Sequence, residues 1–415
     1  MNFKDNFKDN FKDNFKDNFK DFLLSLKAYL ILTIMIILIL LFLIIMVLFL
    51  PLYYINKKYY RILTNNILRL VVPSFLAPLS WRNINIYINN NHKLYKNDNK
   101  NCIYMANHAG RIDWLIALWF SYVGKPKKVN FIAEITNKYM PGIGWLRNLC
   151  EDIYVSRSFK QDENNIKENL NSFNNDNILR DIFFSPEGII ADKNNYDISM
   201  IKNCEEFCKT NNLKPFEYVL TPRYKGLSCL IDKNNKYYTF TIAYVKDNKL
   251  MNTKLMNDSR EIPDLITLLK YDIDVYLYCK EIKLNKLKKP EDLKKILMKR
   301  YKMHDKYLKH FEENIETKKE FFKDQGLKEP FHLLPKEYIF KTNIFIMSYF
   351  LIYNISKKYD YNSYFKKIFM YTFFSLSVSH FLGEYISGYS RESVPFETLI
   401  KSILFNKRDK NKYCY

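Results

Sequence analysis

The residues of this sequence best suited to do chemistry stand close together, in Met105-Ala-Asn107-His108-Ala-Gly-Arg-Ile-Asp113-Trp114. Imidazole exchanges a proton near neutral pH. A carboxylate that holds one ring nitrogen leaves the other as a base for a hydroxyl. Residues five apart do not share a face of one continuous helix, so His108 and Asp113 need a turn between them, and Gly110 has the backbone freedom for one. Spacing alone decides little: His332 and Glu337 have the same separation, and a loop histidine beside a helix-capping aspartate leaves the same trace. Three later segments each join turn residues to a charge. Pro141-Gly-Ile-Gly144-Trp145 leads to Ile153-Tyr-Val-Ser156-Arg157. The other two are Phe184-Ser185-Pro186-Glu187-Gly188 and Tyr218-Val-Leu220-Thr221-Pro222-Arg223. Each reads as a strand that ends in a turn, which is where sites gather in such sheets.

In this order the four segments resemble the four sequence blocks of the glycerolipid acyltransferases, the 1-acylglycerol-3-phosphate acyltransferase family. Asn107-His108 with Asp113 matches the His-x4-Asp block, and Arg157 the basic residue of the second. Pro186-Glu187-Gly188 matches the core of Phe-Pro-Glu-Gly-Thr-Arg, and Pro222 the fourth block. The similarity runs from about Asn101 to Phe311. Trp114, Gly144-Trp145, Leu220-Thr-Pro-Arg-Tyr-Lys-Gly226, the Thr241-Ile-Ala-Tyr244 strand and the helix from Arg300 to Phe311 resemble the lysocardiolipin and lysophosphatidylinositol acyltransferase branch.

The resemblance implies acyl transfer from acyl-CoA, as co-substrate, to the free hydroxyl of lysophosphatidic acid or of a head-grouped lysophospholipid such as lysophosphatidylinositol or lysocardiolipin, without a covalent acyl-enzyme. His108 would be the general base and Asp113 would fix its tautomer, while backbone N–H groups of the loop would hold the oxyanion. Asn107, Arg157, Glu187, Gly188, Pro222 and Arg223 would bind substrate, with Lys193 a weaker cation for the acceptor phosphate. Glu187 either orients the acceptor or fixes its own turn. Ile189-Ile190 stands where the family has Thr-Arg, and Ser185 where it has Phe. Loss of that arginine fits an acceptor with a larger head group, or else a relative that no longer catalyses; the intact base and partner favour the first. A CoA-independent transacylase and a non-catalytic lipid-binding scaffold are the alternative functions.

The elements that must position these residues form an α/β fold, a mixed sheet covered by helices as in glycerol-3-phosphate acyltransferases, flanked by membrane segments. Strands are expected at Cys102–Ala106, Val129–Ala133, Asp152–Val155, Asp181–Phe184, Tyr218–Leu220, Tyr238–Val245 and Val275–Cys279, with a helix from about Asp113 to Tyr122. Pro290-Glu-Asp starts another helix, with an apolar stripe through Leu293, Ile296, Leu297, Tyr301, Leu308 and Phe311. Residues 1–26 carry Asn-Phe-Lys-Asp five times and read as low complexity without a fixed fold. Residues 27–86 form an anchor and interfacial segment, since Ala28 to Asn56 carries no charge and exceeds the ~20 residues that cross a bilayer. Residues 87–315 are the acyltransferase domain. Residues 316–415 are a helical region with two short uncharged runs, Thr342–Ser356 and Ile368–Gly383, expected at the membrane.

The 415 residues allow two or three units, and 48% hydrophobic composition excludes global disorder. A net charge of +21 favours anionic partners, yet 53 of the 65 basic residues are Lys. So few Arg forks argue against base reading, and no nucleic acid is expected. Cys204 and Cys208 lack a second pair at zinc spacing, so no metal is expected. The bilayer is the remaining partner, with the endoplasmic reticulum as the expectation taken from the family.

Overall fold

The structure is a computed structural model that describes residues 3–80, 84–88, 100–123, 128–156, 158–176, 178–191, 198–232, 235–255, 257–284, 290–314 and 331–332. Arg157, Lys193, Thr342–Ser356 and Ile368–Gly383 lie outside the described residues.

One mixed sheet organises the chain. In sequence order its strands are β1 (Asn85–Ile88), β2 (Cys102–Ala106), β3 (Lys128–Glu134), β4 (Ile153–Val155), β5 (Arg180–Phe184), β6 (Lys236–Lys246), β7 (Lys249–Leu250), β8 (Ile273–Ile282) and β9 (Phe331–His332). Across the sheet they run β4-β3-β5-β2-β6-β8-β1-β9, with β7 turning back on β6. The five strands from β4 to β6 are parallel, and β8 joins β6 antiparallel. Every residue of β2 and β5 is buried, as expected of parallel strands covered on both faces.

The two faces carry separate cores. On one, Tyr104, Tyr238, Phe240, Ile242 and Tyr244 meet Leu115, Ile116 and Trp119 of helix α4 (Asp113–Val123). On the other, Ile103, Met105, Ile182 and Phe184 meet helix α6 (Phe159–Asn174) and helix α10 (Pro290–Glu313) through Ile166, Phe173, Leu293 and Leu297. Helix α10 begins at Pro290 and buries its expected stripe except Ile296, which is partly buried.

Two expectations are corrected. Tyr218–Leu220 is not a strand, because its backbone bonds to side chains rather than to a ladder. The Tyr218 N–H donates to Asp305 at 2.7 Å and the Leu220 N–H to Glu187 at 3.2 Å. The N-terminal repeat is helical: α1 runs unbroken from Phe3 to Leu48, 46 residues or about 69 Å. Asp and Lys three apart suit a helix, and the apolar half supplies the nucleus from which it propagates.

Within α1, Asn18–Leu48 is long and apolar enough to cross a membrane. Ala28, Ile31, Met35 and Met46 pack onto the domain, whereas Leu30, Ile36, Ile37, Leu40, Leu41, Ile44 and Leu48 are exposed. Helix α2 (Leu50–Ile55) and helix α3 (Lys57–Ser80) follow. Buried Arg61 ties α3 to the domain, donating to Glu151 at 2.7 Å and to Asp176 at 2.9 Å. The part of the expected anchor and interfacial segment, residues 27–86, that forms α3 therefore also has a domain-facing side.

Candidate active site

The parallel register brings the reactive segments together. Met105 of β2 pairs with Phe184 of β5, so the loops that follow them, 107–112 and 185–191, emerge side by side at the C-terminal ends of these central strands. His108 and Glu187 face each other there. The His108 N–H donates to Glu187 Oε1 at 3.0 Å.

The pair expected five residues apart is formed. His108 Nδ1 lies 2.9 Å from Asp113 Oδ2, with side-chain exposures of 28% and 4%, so the imidazole is open to a ligand and its partner is not. Asp113 is the first residue of α4. It collects the N–H groups of Ala109 and Gly110, each at 3.0 Å, and so folds the loop around itself. Its Oδ1 also accepts from the hydroxyl of Tyr244 at 2.7 Å. Nε2 of His108 has no hydrogen-bond partner among the described residues, which leaves it available to a ligand.

Gly110 is required for closeness rather than for a left-handed turn. A Cβ on it would stand 2.7 Å from Cγ of Pro263, whose carbonyl accepts from the Arg111 N–H at 2.9 Å. Gly188 is the left-handed position, with φ +79°, a conformation that L side chains rarely adopt.

Glu187 is buried and bridges three segments. One oxygen accepts from His108 N–H and the other from Leu220 N–H, while Arg223 N–H donates to Pro186 O at 2.8 Å. Burial pushes its carboxyl up to about 7, against the opposing pull of those N–H groups and of Arg260. Of its two expected roles, fixing the turn is the one these bonds perform.

Asn107, expected to bind substrate, does not face the open side. Its amide donates to Ile242 O at 3.1 Å and accepts from Ile242 N–H at 2.7 Å, extending the β2–β6 pairing through a side chain. Pro222 is buried, so it shapes the turn rather than meeting a ligand in the open. Arg223 is exposed, and its guanidinium lies 3.5 Å from where a Cβ on Gly188 would be; it is the cation within the described site that matches the sequence expectation.

Sequence reasoning missed Arg260, which donates to Ala191 O at 3.2 Å and to Thr253 O, and so ties down the segment after Ile190. It took Tyr244 only as a strand residue. Both come from far along the chain, and neither belongs to one of the four segments. Among the described residues no group of three or more His, Cys, Asp or Glu side chains is arranged to hold a metal.

Residues 85–231 match the family model described as Acyltransferase. Over 208 residues the chain is 24% identical to lysocardiolipin acyltransferase 1 of Mus musculus, covering 47% of this chain and 52% of that one. It is 28% identical over 151 residues to lysophosphatidylinositol acyltransferase 10 of Caenorhabditis elegans, covering 34% and 37%. Against 1-acyl-sn-glycerol-3-phosphate acyltransferase epsilon of Mus musculus the identity is 25% over 220 residues, covering 51% and 58%. The chain thus spans about half the length of the curated relatives it matches. No solved structure matches it.

Proposed function

We propose that the protein, whose residues 85–231 match the family model described as Acyltransferase, moves a fatty acyl group from acyl-CoA to the free hydroxyl of a lysophospholipid at a membrane surface. The observation that carries this reading is the His108–Asp113 pair, 2.9 Å apart and set beyond the C-terminal end of central strand β2, with Nε2 unengaged among the described residues.

A glycerol hydroxyl attacks a thioester poorly at neutral pH, so its proton must leave as the C–O bond forms. His108 Nε2 takes that proton. Asp113 holds Nδ1–H, which fixes the tautomer and stabilises the imidazolium. The thioester carbon becomes tetrahedral, then the C–S bond breaks and the CoA thiolate recovers the proton. The oxyanion needs donors placed beforehand. The N–H groups of residues 107–111 all have partners within the protein, namely Phe240 O, Glu187, Asp113 and Pro263 O, so the donor is none of these as they stand here.

Arg223 over Gly188 supplies the cation for the acceptor phosphate. The absence of an arginine at Ile190 favours acceptors with a head group beyond phosphate, and Ile189, Ala191 and Leu220 instead form a small apolar cluster beneath that loop. The exposed apolar face of α1, together with exposed Tyr139, Met140 and Trp145 beside it, suits a protein lying against lipid. The membrane proposed is that of the endoplasmic reticulum.

The test offers labelled oleoyl-CoA and, side by side, lysophosphatidic acid, lysophosphatidylinositol, lysophosphatidylglycerol and monolysocardiolipin to membranes holding the protein. Two-chain product from a head-grouped acceptor, with CoA released in equal amount, supports the reading. Product formed only from a phospholipid donor without CoA indicates the transacylase. No product from any donor indicates the non-catalytic relative.

A further inference from the structure

Asp113 is held by four donors of two kinds. Three come from its own loop: His108 Nδ1, Ala109 N–H and Gly110 N–H. The fourth, the Tyr244 hydroxyl at 2.7 Å, comes from β6, 131 residues away in sequence. The loop donors move with the loop, so they give it shape but not place. Strand β6 is bonded to β2 on one side and β8 on the other, and is the rigid part of the arrangement. It holds the loop at two points, through Asn107 on Ile242 and through Asp113 on Tyr244. The Tyr244 ring is fully buried in the core beneath α4, and its backbone is fixed in turn by Asn252, whose Oδ1 accepts the Tyr244 N–H at 3.1 Å.

We infer that Tyr244 is a positioning residue for the base, acting through Asp113 to set both the place and the proton affinity of His108. The inference rests on the acyl-transfer reading above and extends it by one residue that the four segments do not contain. Burial, and then the Asp113 charge, raise the phenol well above its ordinary range, so it stays protonated and donates at any working pH. An O–H donor on a carboxylate disperses part of its negative charge. Asp113 therefore pairs with the imidazolium less strongly than a bare carboxylate would, while Glu187, the other carboxylate facing this loop, bonds the His108 N–H and is the same in every Tyr244 variant. A phenylalanine at 244 keeps the packing and removes only this donor.

The experiment compares wild type, Tyr244→Phe, Asp113→Asn, the double variant and His108→Ala in oleoyl transfer across pH 5 to 9. Tyr244→Phe is expected to lower kcat about tenfold with KM for acyl-CoA nearly unchanged, and to move the acidic limb of kcat/KM to higher pH. In the Asp113→Asn background the same change is expected to add little, because its route is already cut. Tyr244→Phe with wild-type kcat and an unmoved limb, or with full effect in the Asp113→Asn background, overturns the inference while leaving the acyltransferase reading intact. Activity that survives His108→Ala overturns both. Should Tyr244→Phe fail to accumulate, 3-fluorotyrosine at 244 keeps the hydroxyl and makes it a stronger donor. It must then shift the limb to lower pH, and an unmoved limb overturns the inference. Should wild type make no product, NMR titration of the His108 ring in wild type and Tyr244→Phe reads the same shift without turnover, and identical titrations overturn it.

Discussion

Two buried carboxylates flank one loop, and their surroundings differ. Asp113, from the start of α4, accepts four hydrogen bonds, one of them from the imidazole. Glu187, from the end of β5, accepts two, both from backbone N–H groups. Burial lifts Glu187 to about 7, because two N–H groups do not replace the water it has lost. The difference separates a carboxylate paired with an imidazole from one that joins segments. Glu187 connects the loops after β2 and β5 to residue 220, and Asp113 holds the imidazole of the first of those loops.

The sharpest way to break this contrast is to neutralise each in turn. Asp113→Asn places an N–H where an acceptor is needed and is expected to lower turnover about 100-fold. Thermal unfolding followed by near-UV circular dichroism should move less than turnover does. Glu187→Gln leaves one of two buried N–H groups facing an amide nitrogen, which costs about 1–3 kcal/mol of stability. Its turnover, measured well below the melting temperature, should fall less than that of Asp113→Asn. If Glu187→Gln is the more severe of the two for turnover, the division of roles is wrong.

Arg223→Ala sharpens the acceptor side of the site. It is expected to raise KM for the lysophospholipid about tenfold, the loss of one charge-assisted contact, with kcat and KM for acyl-CoA little changed. Steady-state kinetics with each substrate varied separately distinguishes this from a loss of fold.

The smallest expected effect is in pH dependence. Glu187 has a folded-state pKa raised from 4.5 to about 7, so it favours the folded state most below 4.5 and loses that contribution as pH rises to about 7. Wild-type melting temperature minus that of Glu187→Gln should therefore become less favourable to wild type between pH 4.5 and 7. A difference that is flat across this window would place the carboxyl at its ordinary value.

The parts legible in the sequence are those whose signal is local. Cys102–Ala106 is a buried apolar run and forms β2 with the expected bounds. Pro290 with two acids starts α10 where its φ and the helix dipole favour it. His108 and Asp113 were readable because their segment is the first of four that in order resemble the acyltransferase blocks, whereas the spacing alone is shared by His332 and Glu337. Tyr218–Leu220 misled because an apolar run looks the same whether its N–H groups meet a neighbouring strand or, as here, the side chains of Asp305 and Glu187. Asn107 misled because its neighbour is His108, while its bonding partner, Ile242, is 135 residues away. Tyr244 and Arg260 reach the site only through strand pairing and a returning loop, and no spacing rule registers either.

The central claim is that His108 is the base. The measurement that tests it most directly follows labelled acyl transfer and CoA thiol release together, in membranes holding equal amounts of wild type and His108→Ala. The account predicts that both signals fall at least ~100-fold in the variant, with membrane insertion unchanged. Acyl transfer by His108→Ala at the wild-type rate would contradict it.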